Sequence, residues 1–277
     1  MTSRAGRTET ALVQRHGPGA PAGRSPDRLI VEEPLAIELD GTRVATTMRT
    51  PGHDFELAAG YCFTEGLLAG APIRSCRYCA NGPAVDSDFN IVTVETGGRA
   101  PTPTARLAPT TSSCGICGTA SLEELTERLS PLVDVEPFPW EVLAGLPDAA
   151  LEHQELFART GAVHAAGAFD REGRLVLLRE DIGRHNAVDK VVGRLLLDGR
   201  IGDDVATGRG TADMALYVSS RASFEMVQKA WAAGFAAVVA VSAPSALAVR
   251  TSVTAGVQLA GFARGGSLNL YAPGAGR

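Results

Sequence analysis

Short apolar runs and alternating stretches divide the chain into two parts of different character. In the first, residues 35–39 and 44–48 alternate apolar and polar side chains on either side of Asp40-Gly41, a two-residue hairpin signal. Thr50-Pro51-Gly52 then opens a helical periodicity over 54–68 that stops near Gly70, and residues 89–95 read as another strand. A Pro/Thr-rich run, 97–111, is an exposed connection. Ser121-Leu-Glu-Glu124 has capping-box spacing and predicts a helix to about Leu129. Residues 131–147 carry no pattern beyond a Pro-bounded connection, and 152–160 read as helical.

From Gly161 strand and helix periods alternate. Strands are expected at 162–169 and 174–179, around the turn Asp170-Arg-Glu-Gly173, and a helix at 187–197. A strand at 215–219, a helix at 223–233, a strand at 236–241 and a helix at 245–255 follow, and strands at 257–262 and 267–271 close the chain. Strands that read as continuous apolar runs between helices indicate a parallel or mixed sheet covered on both faces. The pattern therefore predicts an α/β (α+β) fold, with a β-rich N-terminal part over 28–111 and a C-terminal α/β domain over 121–277.

Composition refines this picture at a few points. The chain has 277 residues, 45% apolar and 21% charged, enough for one large domain or two small ones. Residues 1–27, rich in Arg, Gly, Pro, Ser and Thr and without an apolar leader segment, are expected to be a disordered tail. Residues 230–249 are 20 positions without a charge, the length of a membrane span. Gly234 and Ser242-Ala-Pro-Ser245 break them into helix, buried strand and helix, so no membrane association is expected. The net charge of −5 argues against a general nucleic-acid partner. Of the 26 basic residues only Lys190 and Lys229 are lysine, so one arginine here is a weak sign of an anion contact.

The five cysteines are the unusual feature. Cys76/Cys79 and Cys114/Cys117 form two Cys-x-x-Cys pairs and Cys62 is left over, a count and spacing that suit intracellular thiol or metal chemistry. A four-thiolate zinc site would need an unusually long gap between the pairs. Ser112-Ser-Cys-Gly-Ile-Cys-Gly118 has another rationale: its glycines give a flexible loop, and a helix start nearby would favour a thiolate. Three loops of the C-terminal part directly follow apolar strands: Ser219-Ser-Arg-Ala-Ser223, Ser242-Ala-Pro-Ser245 and Arg264-Gly-Gly-Ser267. In an open α/β sheet such loops gather at the strands' carboxyl ends, where N–H groups, hydroxyls, Arg221 and Arg264 could hold a phosphorylated or dinucleotide ligand. A dense polar turn, Arg179-Glu-Asp-Ile-Gly-Arg-His-Asn186, adds Arg184 and His185. His164 reads as an interior histidine. A zinc deaminase is excluded, because Ala166 stands where its glutamate would be and no cysteine follows His164.

These segments, together with Gly161-Ala-Val-His-Ala-Ala166, Ser220-Arg-Ala-Ser-Phe-Glu225, Gly261-Phe-Ala-Arg264 and, further upstream, Thr50-Pro-Gly52 and Phe63-Thr-Glu-Gly66, resemble the formate dehydrogenase accessory sulfurtransferases (FdhD) over about residues 28–273. The resemblance implies a cytoplasmic, homodimeric sulfurtransferase whose C-terminal domain is cytidine-deaminase-like without the zinc site, with no metal of its own. A cysteine desulfurase would load a persulfide onto a mobile Cys-x-x-Cys loop, 112–120. The sulfur would pass to the molybdenum cofactor, bound as bis-molybdopterin guanine dinucleotide, for formate dehydrogenase. By family match Cys114 carries the persulfide and Cys117 assists. The segment Phe262, Ala263, Arg264, Gly265, Gly266 and Ser267 is the first candidate for the dinucleotide, with Arg221, Arg184 and His185 after it. His53 and Phe55 depart from the acidic residues common in the family. A zinc-stabilised nucleotide-binding module without catalysis is the alternative.

Overall fold

In the computed structural model, residues 6–19, 23–78, 89–103, 122–201 and 210–275 are described. Two strands stand where a disordered tail was expected. β1 (Thr8–Gln14) and β2 (Arg24–Ile30) pair antiparallel, with Thr8 opposite Ile30 and Gln14 opposite Arg24. Thr, Val and Leu favour strands, and Pro26 is tolerated because each strand of a two-stranded ribbon has an unpaired edge. Arg7 fastens the ribbon to the body: its Nε donates to the Pro51 carbonyl at 3.2 Å, and its own carbonyl accepts from Val31 N–H at 3.0 Å.

The alternating residues build β3 (Glu33–Leu39) and β4 (Thr42–Arg49), joined at Asp40 and Gly41, both at positive φ, as a hairpin turn of this kind requires. With β5 (Ser75–Tyr78), which has no clear sequence signal, and β6 (Ile91–Glu95) they form a four-stranded sheet in the order β4-β3-β6-β5. Helix α1 (Asp54–Thr64) is shorter than its periodicity suggested and buries Leu57, Ala58 and Cys62 against Leu35, Ile37, Val92 and Val94.

The C-terminal part follows as α2 (Leu122–Arg128), α3 (Trp140–Leu151), α4 (Glu155–Thr160), β7 (His164–Phe169), β8 (Leu175–Asp181) and α5 (Arg184–Leu197). It ends with β9 (Ala215–Val218), α6 (Phe224–Ala232), β10 (Ala237–Ala240), α7 (Ala246–Ala255), β11 (Gln258–Arg264) and β12 (Ser267–Pro273). The six strands form one mixed sheet, β12-β11-β10-β9-β7-β8, in which β9, β10 and β11 run parallel and the other neighbours antiparallel. Both faces are covered, as the continuous apolar runs predicted. Val188, Val191, Met226 and Trp231 pack on one face, and Leu143 and Leu146 meet Phe169 and Tyr217 on the other. The second face is closed by α3, which occupies the segment that carried no pattern. Pro147 interrupts its periodicity, yet Leu143, Ala144, Leu146, Pro147 and Ala150 share its buried side. The chargeless stretch resolves into the end of α6, β10 and the start of α7, and among the described residues no helix is long and apolar enough to cross a membrane.

The two parts meet along a closed seam. Helices α1 and α5 cross at Gly60 and Gly193, where a Cβ on either would collide with the facing backbone at Asp189 or Glu56. Charges sequestered around this crossing are paired. Lys229 Nζ contacts both oxygens of Asp189 at 2.9 and 3.0 Å and Glu65 at 3.1 Å, and Thr64 Oγ1 donates to Asp189 at 2.9 Å. Arg179 forms a two-pronged pair with Glu56 at 2.6 and 3.0 Å. Fully buried Arg49 holds Asp54, Glu33 and Asn90 together. Burial opposes charge on Lys229, but Asp189 and Glu65 outweigh it and raise its pKa, so the ammonium is kept.

Candidate functional site

The sheet topology brings the expected ligand-contacting segments to one edge. Because β9, β10 and β11 are parallel, the loops after them leave the same side of the sheet. Strand β7 runs antiparallel to β9 and starts at this edge with His164, and β8 ends there, Asp181 lying opposite His164. The loops are tied to one another. Ala222 bridges Pro244, Ser245 N–H donates to the Ala222 carbonyl at 3.0 Å, and Phe262 N–H donates to Ser242 at 3.2 Å. Arg184 and His185 open α5 beside α6, close enough for both to act electrostatically on Glu225.

Within the edge the residues play different parts. Phe262 is exposed and sits at φ 53 in a bulge, a left-handed conformation that costs energy for a non-glycine residue. Ala263 points inward and is buried. Arg264 and Arg221 are exposed, and Gly265 and Gly266, at φ 54 and 73, make the two-residue turn between β11 and β12. Most of the serine hydroxyls have internal partners. Ser219 Oγ accepts from Ala165 N–H at 2.9 Å, and Ser245 Oγ caps α7 through Ala248 N–H at 3.1 Å. Ser220 and Ser267 donate to the carbonyls of Arg221 and Arg264, each at 3.0 Å. Ser220 and Ser267 thus spend their protons on their own turns, whereas Ser219 and Ser245 only accept in these contacts and keep an O–H for an anion, alongside the arginines and backbone N–H groups.

A cavity of about 600 Å³ opens at this edge between α3, α4 and the strand ends, and His164, Ser219, Tyr217, Gln154 and Arg264 give it polar groups. His164, expected in the interior, is half-buried on its wall, with Nδ1 3.5 Å from Ser219 Oγ. Burial and the Arg184 charge lower its pKa, with Asp181 opposing, so the imidazole is neutral at pH 7. Its apolar neighbours concealed it in the sequence, and the wall supplied by α3 had no signal. A larger groove of about 950 Å³ lies at the other end of the sheet, lined by apolar residues such as Leu68, Leu132, Leu197 and Trp231, with no ionisable side chain among the described residues that line it.

Cys114 and Cys117 lie outside the described residues, as does Cys79. Downstream of the loop, α2 is anchored by Leu125 in the core and by Arg128, which donates to the Glu65 carbonyl at 2.7 Å. At seven residues α2 is a short source of dipole. Cys76 faces the N-terminal core, where burial and then Glu95 push its thiol up to about 11. Cys62 is fully buried, and burial raises its thiol further. Among the described residues no three His, Cys, Asp or Glu side chains are placed to share a metal ion.

Fold and edge together define a mixed α/β protein with a strand-end cleft of small-molecule size, in which Arg264 and Asp148 are the charged lining residues. Residues 30–276 match the model of the FdhD/NarQ family, and the chain belongs to that family. It is 48% identical over 274 residues to the sulfur carrier protein FdhD of Streptomyces coelicolor, covering 96% of this chain and 94% of that one. With the protein of the same name from Corynebacterium efficiens it shares 44% identity over 257 residues, covering 89% and 90%. A crystal structure of a "putative formate dehydrogenase accessory protein" from Desulfotalea psychrophila superposes with a TM-score of 0.68 at 26% identity, covering 96% of each chain.

Proposed function

We propose that the chain is a sulfur carrier serving a formate dehydrogenase system. The observation that carries the reading is near-full-length identity of 44–48% to proteins named sulfur carriers, in a chain that contains a Cys114-Gly-Ile-Cys117 pair. In this reading a cysteine desulfurase presents a persulfide, and the Cys114 thiolate attacks its outer sulfur. The donor's S–S bond breaks, the desulfurase cysteine leaves as a thiolate, and Cys114 holds the persulfide without net oxidation or reduction. Cys117 assists or resolves. As the resolving thiolate, Cys117 attacks the inner sulfur on Cys114, the bond to the outer sulfur breaks and a Cys114–Cys117 disulfide forms, and the outer sulfur leaves at the sulfide level for the molybdenum cofactor, bound as substrate in its bis-molybdopterin guanine dinucleotide form.

The strand-end edge supports the second half of this reading. Arg264, Arg221 and Arg184 can meet phosphates, Gly265-Gly266 leaves backbone open to close approach, and Phe262 offers an exposed aromatic face to a base. The neighbouring cavity is of a size for part of a nucleotide. The setting is the cytoplasm, with the chain as a homodimer. Incubation with a desulfurase and cysteine is expected to add one sulfur atom, seen by intact-mass spectrometry and absent in Cys114→Ala. Full activation of formate dehydrogenase by Cys114→Ala would overturn the reading.

A further inference from the structure

Lys190, one of only two lysines among 26 basic residues, is fully buried against Asp181, itself fully buried, with Nζ 2.6 Å from Oδ2. Every acceptor position of this carboxylate is used. Oδ2 takes Lys190 and the Thr50 N–H at 3.1 Å, and Oδ1 takes the Gly183 N–H at 2.8 Å and Asn186 Nδ2 at 3.0 Å. Lys190 also donates to the Thr50 carbonyl at 3.0 Å, and Thr50 Oγ1 accepts from Ile182 N–H at 3.1 Å. Two segments singled out separately in the sequence, Thr50-Pro-Gly52 and the Arg179–Asn186 turn, are thus one junction. Its residues border the strand-end cavity: Ile182 lines it, and His164, opposite Asp181, stands on its wall.

That position sets an electrostatic problem. An uncompensated carboxylate at Asp181 would place a negative charge beside a cavity and a helix start that the proposed function reserves for phosphates. Asp181 already acts on His164, as does Arg184 with the opposite sign. Among the groups around the carboxylate, Lys190 is the cation in contact with it, while the Thr50 loop contributes only backbone and hydroxyl groups. The long, unbranched ammonium fits a contact with one carboxylate oxygen and one carbonyl, which a planar guanidinium fork would overfill.

We propose that Lys190 is a positioning residue for anion binding at the strand-end edge. It acts through Asp181, cancelling that charge while holding the turn that carries half-buried Arg184 and buried His185. The inference rests on the reading of the edge as a nucleotide site. The test measures binding of guanosine diphosphate by calorimetry, alongside thermal unfolding, for wild type, Lys190→Met, Asp181→Asn and the double variant. Both single variants break the same ion pair, so a purely structural role predicts that both weaken binding. The charge role predicts opposite outcomes: at least tenfold weaker binding for Lys190→Met, and binding as tight as wild type or tighter for Asp181→Asn. The double variant, neutral at both positions, is expected within threefold of wild type and keeps the test open if Lys190→Met does not fold. Equal weakening of the folded single variants, or a double variant at least tenfold weaker than wild type, would overturn the proposal. Absence of binding by the wild-type chain would instead overturn the nucleotide reading beneath it.

Discussion

Replacing Gly193 with alanine sets helix propensity against packing. In an exposed helix, alanine is favoured over glycine by roughly 0.8–1 kcal/mol. At Gly193 the added Cβ would meet the Glu56 carbonyl and the Gly60 nitrogen of α1, so backbone must yield where no flexible side chain can. Overpacking of ordinary cores costs typically 1–3 kcal/mol, and a backbone-to-backbone contact belongs at or above the top of that range. Moving α1 from α5 also stretches the Lys229–Asp189–Thr64 contacts one turn away. The net expectation is a loss of roughly 2–4 kcal/mol, or about 4–16 °C in unfolding temperature at roughly 2–4 °C per kcal/mol for a chain of this size class. Gly145→Ala is the internal control. It lies exposed in α3 with nothing within 4 Å of an added Cβ, and should stabilise by about 0.5–1 kcal/mol. Thermal and urea unfolding of both variants decide the matter. If Gly193→Ala unfolded at or above the wild-type temperature, the close crossing of α1 and α5 would be refuted.

Glu56 gives an acid signature. Burial would raise its pKa, but hydrogen bonds from His53 and Arg179 and the Arg179 charge bring it down to about 2 from an ordinary 4.5. A depressed carboxylate stabilises above its unfolded value, so on the order of 2 kcal/mol should be lost as pH falls from about 4.5 towards 2, and Glu56→Gln should flatten this part of the urea-midpoint profile. Lys229→Met leaves Asp189 buried without its cation and is expected to cost about 3–5 kcal/mol, much of it regained in Asp189→Asn/Lys229→Met; no recovery in the double variant would count against the pairing. Cys62 and Cys76 should resist iodoacetamide at pH 8 in the folded protein, since a thiol near 11 is only about 0.1% ionised there, and alkylation mapped by peptide mass spectrometry checks this. Arg264→Ala should weaken guanosine diphosphate binding roughly tenfold with little change in unfolding temperature, because the side chain is exposed; unchanged affinity at low and moderate salt would remove Arg264 from the site.

The elements that sequence periodicity located are those whose burial is simple. Strands β9 and β10 are buried at every position and read as unbroken apolar runs, and the β3–β4 hairpin follows from alternation around Asp40-Gly41. Helix α3 escaped because Pro147 breaks its rhythm. The β1–β2 ribbon escaped because two largely exposed strands show no apolar face. The seam was illegible for a different reason. Arg49, Asp54, Asp189 and Lys229 look like surface residues until the fold supplies partners distant in sequence, such as Asp189 for Thr64. The ligand edge was legible as loops following strands, whereas the wall of its cavity and the position of His164 depended on that missed helix.

The seam also bears on how a sulfur loop could work. The segment that carries Cys114 and Cys117 leaves the N-terminal sheet after β6, where Thr96 Oγ1 accepts from the N–H groups of Arg99 and Ala100 at 3.1 and 3.0 Å. It re-enters at α2, whose Leu125 is buried in the core of the C-terminal sheet and whose Arg128 reaches across to the end of α1. Its two anchors therefore belong to opposite sides of the seam. If the halves moved freely, each shift would displace one anchor against the other and against the strand-end edge. Buried ion pairs make such movement costly, since separating Lys229 from Asp189 exposes charges that the fold has taken out of water. Under the proposed sulfur-carrier reading, such pairs would hold the two anchors of that segment at a fixed separation. The lysines retained in an arginine-rich chain sit at the two places where that fixity is made.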